Sequence, residues 1–193
     1  MKKVVIVPGN GCTPIHECNW YGWLFSELSA TNKFEEVVCE SMPDPYDARR
    51  DIWIPHMKEN LRIDANTIAV GHSSGAEALL RFAETEPVGA IVLVSACFSD
   101  LGDSGERASG YYPSDDGSNQ WNFEAMKQNC TLWRQFHSDT DPFIPLSEAE
   151  GIREGLQLVD GEEYHMLRNR SHFFDYPFPE LFEAVLHIKD LAS

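Results

Sequence analysis

Basic residues are scarce in this chain: 15 lysines and arginines stand against 31 aspartates and glutamates, a formal net charge of −16 over 193 residues. A surface of that sign repels phosphate backbones and anionic headgroups, and no run of clustered Lys and Arg offsets it. Nucleic acid and membrane surfaces are therefore not expected as partners. Long apolar runs are also missing. Met1-Lys2-Lys3 leads into Val4-Val5-Ile6-Val7, and Pro8-Gly9 ends the run after four residues. That is too short for a signal peptide or a membrane span, and it makes the cytoplasm the expected location. Cysteine is sparse and unpaired by pattern. Cys12, Cys18, Cys39, Cys97 and Cys130 are odd in number and contain no Cys-x-x-Cys pair. This suits reduced thiols rather than a disulfide framework or a zinc site, so neither metal nor cofactor is expected. Cys97 reads as a small apolar residue at a strand end rather than a nucleophile.

What the chain does have is a hydrophobic content of 42%, enough for a core, and a length that suits one globular domain spanning 1–193. β-branched or apolar runs at Val4 to Val7, Glu36 to Cys39, Thr67 to Val70, Ala90 to Val94, Leu132 to Phe136 and Glu163 to Leu167 read as strands. Between them, Trp20 to Leu28, Asp47 to Leu61, Gly75 to Glu84, Leu146 to Leu156 and Phe178 to Leu191 read as helices, with Pro55 expected to kink or split the second. This alternation predicts the α/β class, a mostly parallel sheet with helices on both faces in three αβα layers. The polar stretch Ser99 to Gln120 follows a central strand, where a lid or cap loop over an active site is expected, or else a plain surface loop with a short helix.

The most informative segment is Thr67-Ile68-Ala69-Val70-Gly71-His72-Ser73-Ser74-Gly75-Ala76-Glu77-Ala78-Leu79-Leu80. A short apolar run, Gly-x-Ser-x-Gly and a helical run together make a nucleophile elbow, with Ser73 displayed on a strand-to-helix turn. Three fixed positions at about 7% each give the pattern by chance in roughly 6% of chains this long, so the flanking strand and helix carry the weight. Gly71 and Gly75 are needed because larger side chains collide where the backbone folds back. The helix start supplies the Ser74 N–H to an oxyanion. The second donor is expected from Asn10 or Gly11 in the loop after the first strand.

A serine nucleophile requires a base and an acid that orients it, and in this arrangement they follow in the order Ser, Asp, His. Asp139 and Asp141 lie in the turn after the strand ending at Phe136. Asp141 is preferred because Pro142 forces the preceding backbone to be extended, and Asp139 is the alternative. His172 lies in the loop between the last strand and the last helix. The other six histidines do not: His72 flanks the serine, His165 is in a strand, and His16, His56, His137 and His187 are elsewhere. Trp23, Trp53, Trp121 and Phe143 are candidate walls of an acyl or aryl pocket, though buried aromatics more often serve the core.

Taken together, Val7-Pro8-Gly9-Asn10-Gly11, Trp20-Tyr21-Gly22-Trp23, Met42-Pro43-Asp44-Pro45, Ile52-Trp53-Ile54-Pro55, Gly71 to Gly75, Ser99 to Asp103 and Glu106 to Tyr111 resemble the retinoblastoma-binding protein nine family of small serine hydrolases. The resemblance covers nearly the whole chain and implies a compact α/β-hydrolase with a triad at Ser73, Asp141 and His172. Two departures stand out. The namesake's Leu-x-Cys-x-Glu segment corresponds here to Leu61-Arg62-Ile63-Asp64-Ala65, so retinoblastoma-pocket binding through it is not expected. Arg170-Ser171 precedes His172 where the family tends to have small residues such as Cys-Gly. The expected function is a metal-independent serine hydrolase of small esters or amides, an esterase or small-amide, aminopeptidase-like hydrolase. The rival is a protein-interaction module that keeps the fold with little or no turnover.

Overall fold

Four consecutive β-branched residues, Val4 to Val7, have no polar face to offer solvent and must be buried on both sides. In the computed structural model, which describes residues 3–191, they form β1 (Lys3–Val7) inside a six-stranded sheet. The other strands are β2 (Glu36–Val38), β3 (Thr67–His72), β4 (Ala90–Val94), β5 (Trp133–Ser138) and β6 (Tyr164–Leu167). Their order is β2-β1-β3-β4-β5-β6, and every neighbouring pair is parallel.

Because side chains alternate along a strand, the sheet has two cores. Val4, Ile6, Ile68, Val70 and Val92 face α1 (Tyr21–Ala30) and α7 (Pro179–Leu191), where Leu24, Leu28, Leu181 and Val185 meet them. Val5, Val7, Ala69, Ile91 and Leu93 face the opposite layer, built from α2 (Arg50–Glu59), α3 (Ser74–Ala83), α5 (Phe123–Asn129) and α6 (Leu146–Leu156). Each fully buried aliphatic side chain contributes about 1.5–3 kcal/mol, which makes the sheet a firm platform for the loops at its carboxyl edge. The three-layer α/β architecture is as expected.

Three details differ from the sequence reading. Helix α2 begins at Arg50 rather than near Asp47, because the Asp44 carboxylate accepts from the Arg49 N–H (3.1 Å) and from its guanidinium (2.8 and 2.9 Å), holding that turn outside the helix. Pro55 lies inside α2 without ending it. The carbonyl deprived of a donor is that of Asp51, which is exposed and open to water. Helix α5 and the 3-10 turn Ile15–Glu17 have no counterpart in the sequence reading, whereas α4 (Ser104–Ser109) is a short helix of the kind the surface-loop reading of the polar stretch allows. Among the described residues, no helix is long and apolar enough to cross a membrane.

The chain leaves β1 toward α1 on one face and leaves β3 toward α3 on the other. Their loops part at the carboxyl edge and open the crevice in which α/β sheets bind ligands.

Candidate active site

The crevice is built first by the turn after β3. Ser73 adopts φ 50° and ψ −126°, a conformation that non-glycine residues rarely hold, at a cost of order 1–3 kcal/mol. The fold over-determines it: the Ser73 N–H donates to the Val94 carbonyl (2.9 Å), and its own carbonyl accepts from Ala76 N–H (2.6 Å). The flanking glycines are required by contact. A Cβ on Gly71 would lie 2.5 Å from the Gly75 carbonyl oxygen, and one on Gly75 would collide with the Val7 and Pro8 carbonyls. Ser74 opens α3, so its N–H has no intrahelical acceptor and lies at the positive end of the helix, next to Ser73.

Asp141 follows β5, and its side chain is fully buried. One oxygen accepts from His172 Nδ1 (2.8 Å) and from the Ser95 hydroxyl (2.9 Å), and the other from the Phe143 and Ile144 N–H groups, both at 3.0 Å. Burial by itself pushes this carboxyl upward. The His172 hydrogen bond and charge, with the two amides, outweigh burial and hold it at about 2. Asp139, the alternative acid, is exposed and turned elsewhere, accepting from the Asn169 N–H at 2.8 Å. It fastens the loop that carries His172 rather than touching the imidazole. That loop is further stitched by Arg170 N–H to the Ser138 hydroxyl (3.0 Å) and Ser171 N–H to the Thr140 hydroxyl (3.2 Å). Ser171 sits at φ 50°, a left-handed conformation that favours glycine. Arg170 extends away, bonding Glu180 and covering the Phe178 ring at 4.6 Å.

Ser73 and His172 line one cleft of about 300 Å³, with Asn10, Leu101, Glu106, Tyr112, Phe143, Ile144 and Phe174 around them. The aromatic rings of Phe143 and Phe174 stand 5.2 and 5.4 Å from that of His172. Of the four expected pocket aromatics, only Phe143 is there. Trp53 is buried in the core under α2, donating its indole N–H to the Pro43 carbonyl (2.7 Å). Trp121 lies beneath the Arg81 guanidinium (3.8 Å) and donates to the Phe98 carbonyl. Trp23 is off the inward stripe of α1, formed by Tyr21, Leu24 and Leu28, and packs near Phe182 of α7. Gly11 is corrected too: its N–H is taken by the Pro45 carbonyl at 2.6 Å, which leaves Asn10 as the candidate on that loop.

Sequence reasoning did not select Tyr21 or the far wall of the cleft. Leu101, Glu106 and Tyr112 come from the polar stretch, whose ends are pinned. Glu148 accepts from the Phe98 and Ser99 N–H groups (3.1 and 2.7 Å), and Glu77 accepts from Cys97 N–H (2.6 Å). Burial holds the Glu77 carboxyl well above its ordinary range. Farther along, Arg81 donates to the carbonyls of Tyr111 (2.6 Å), Asn119 (2.6 Å) and Gln120 (3.1 Å). Cys97 is buried, and burial with the nearby Glu77 and Glu148 raises its thiol, as expected of an unreactive strand-end residue. Among the described residues, no three His, Cys, Asp or Glu side chains gather as metal ligands.

Comparison with known proteins shows the family and the fold. The rat protein named serine hydrolase RBBP9 is 43% identical over 183 residues, covering 95% of this chain and 93% of its own length. The crystal structure of the ydeN gene product of Bacillus subtilis superposes with a TM-score of 0.80 at 19% identity, covering 98% of this chain and all of that one. Esterase PE8 gives a TM-score of 0.59 at 15% identity over 98% of this chain and 92% of its own, a likeness of fold alone. The serine hydrolase family model matches residues 4–177, and the chain belongs to that family.

Proposed function

We propose that this hydrolase cleaves small esters or amides through an acyl-enzyme, with Ser73 as nucleophile, His172 as base and Asp141 as the group that orients it. The observation that carries this reading is the Asp141–His172 contact of 2.8 Å in the cleft that holds the strained Ser73. Asp141 accepts at Nδ1, so that nitrogen bears the proton and Nε2 is left to act as base. Nε2 takes the hydroxyl proton as Ser73 Oγ bonds to the substrate carbonyl carbon. The oxygen of that carbonyl gains the negative charge opposite the Ser74 and Asn10 N–H groups. Collapse expels the alcohol or amine, which leaves with the proton from His172. Water then repeats the sequence and releases the acid.

Leu101, Phe143, Ile144 and Phe174 give the cleft apolar walls suited to a short acyl or aryl group. No step calls for a metal ion. The acidic surface and the free thiols suit a reducing cytoplasm. Binding at the retinoblastoma pocket is not part of the proposal, since Leu61 and Ile63 of the corresponding segment are only 2% and 5% exposed.

The test is labelling by a fluorophosphonate probe, which requires an activated serine. Wild type should label and turn over a nitrophenyl ester with or without a strong chelator, whereas Ser73→Ala should do neither while keeping its thermal transition. Full turnover in Ser73→Ala would overturn the assignment of the nucleophile, whereas a wild type that neither labels nor turns over would favour the interaction-module reading.

A further inference from the structure

Asp141 fixes the ring of His172, but a ring is only as well placed as the backbone that carries it. Residues 171 and 173 both have positive φ, 50° and 53°, so His172 sits at the apex of a strained loop. Its carbonyl accepts a hydrogen bond from His72 Nε2 at 2.9 Å, across 100 residues of sequence. On the other side of that ring, His72 Nδ1 meets the Tyr21 hydroxyl at 2.6 Å. The Tyr21 oxygen in turn accepts from Gly9 N–H (3.0 Å) and from the Asn19 side-chain amide (3.1 Å). Tyr21 and His72 are 0% and 1% exposed.

Every proton in this chain is assigned by its neighbours. A carbonyl only accepts, so His72 Nε2 carries hydrogen. Burial and the proximity of His172 hold His72 at about 3, so the ring is neutral and its Nδ1 is bare. The Tyr21 hydroxyl must then donate to Nδ1, which leaves its oxygen lone pairs for Gly9 and Asn19. One directional path thus runs from the loop after β1, next to Asn10, to the main chain of His172.

We propose that Tyr21 and His72 are positioning residues that tie the oxyanion loop to the backbone of the catalytic histidine, fixing the Asn10 donor and the His172 base relative to each other. The inference rests on the triad reading above. It goes further by giving a role to the residue between Gly71 and Ser73, whose two ring nitrogens are both taken by partners within the protein.

The test compares Tyr21→Phe, His72→Leu and His72→Gln with wild type by kcat and KM on a nitrophenyl ester, fluorophosphonate labelling rate and thermal transition. Gln places a donor nitrogen where His72 has Nε2, whereas Leu does not. kcat should fall about tenfold in Tyr21→Phe and about a hundredfold in His72→Leu, with KM within about twofold, and His72→Gln should recover most of the loss. In a His172→Ala background, His72→Leu should slow labelling no further, because its effect passes through His172.

Wild-type kcat in both Tyr21→Phe and His72→Leu would overturn the proposal, as would an equal loss in His72→Leu and His72→Gln or an additive effect with His172→Ala. Should His72→Leu fail to fold, Tyr21→Phe, which deletes a single oxygen, decides by the same kcat criterion. If Ser73→Ala kept full turnover, the triad reading and this inference would fall together. If Ser73→Ala and His172→Ala were inactive while Tyr21→Phe and His72→Leu were not, this inference alone would fall.

Discussion

The elbow and the His172 loop hold their functional residues in comparably strained backbone, yet by opposite means. At the elbow, Ser73 is held by close main-chain packing: its N–H bonds the Val94 carbonyl of the neighbouring strand, its carbonyl takes the Ala76 N–H of its own helix, and a glycine stands two residues to either side. In the His172 loop, the left-handed residues Ser171 and Phe173 are held by groups far away in sequence: Ser138, Thr140, Asp141 and His72. The elbow is a close-packed solution, backbone against backbone, and tolerates almost no change of shape. The loop is an assembled solution and depends on several separable hydrogen bonds. The first should fail all at once under substitution, and the second by degrees.

The sharpest break is expected at the acid. Asp141→Asn leaves the loop's shape but presents the wrong partner to Nδ1, and kcat/KM should fall by about 10⁴. Asp139→Asn, which touches only the Asn169 N–H, should cost activity less than about tenfold, because it loosens the loop without altering the imidazole. Steady-state kinetics on the two variants checks this, and the reverse ranking would move the role to Asp139. Next in size is the elbow. Gly75→Ala drives a methyl into the Val7 and Pro8 carbonyls, which only a shift of β1 or α3 can relieve. It should cost about 3 kcal/mol or more in a denaturant titration, with activity lost alongside.

A third test concerns acid stability. A free histidine titrates near 6.5, and His72 in the fold at about 3. Between those values the unfolded chain binds a proton that the folded chain refuses, so the stabilisation is complete above about 6.5 and declines as pH falls toward 3, by about 1.4 kcal/mol per unit. Denaturant midpoints measured from pH 7 to 4 should show this decline, and His72→Gln should flatten it by one proton. An unchanged slope would mean that His72 does not enter the fold neutral. The smallest effect is expected at Ser171→Gly. Glycine accepts φ 50° without strain and the Thr140 bond to the main chain remains, so stability should rise by about 0.5 kcal/mol, a degree or two in Tm, with kcat unchanged.

The same contrast explains what was legible in the sequence. Ser73, its glycines and the helix behind it fall in one short segment, so the motif carries them. Asp141 and His172 followed from chain order, since each lies just past a recognisable strand. The tryptophans did not, because whether Trp23 faces the cleft depends on the phase of α1 against α7, and Trp53 and Trp121 were drawn into the core by carbonyls at Pro43 and Phe98. The occupied N–H of Gly11 is invisible in the sequence for a similar reason: its acceptor, the Pro45 carbonyl, comes from another connection. Tyr21 and His72 are joined across 51 residues, and no local pattern announces such a bond.

The buried Arg81 of α3 is clamped on three carbonyls of the stretch that follows α4. With Glu148 of α6 gripping the entry at Phe98 and Ser99, residues 100–109 span the gap between two rivets. Leu101 and Glu106 reach the cleft from this span, so the wall they form is hung from α3 and α6 rather than from the sheet edge that carries Ser73 and the His172 loop.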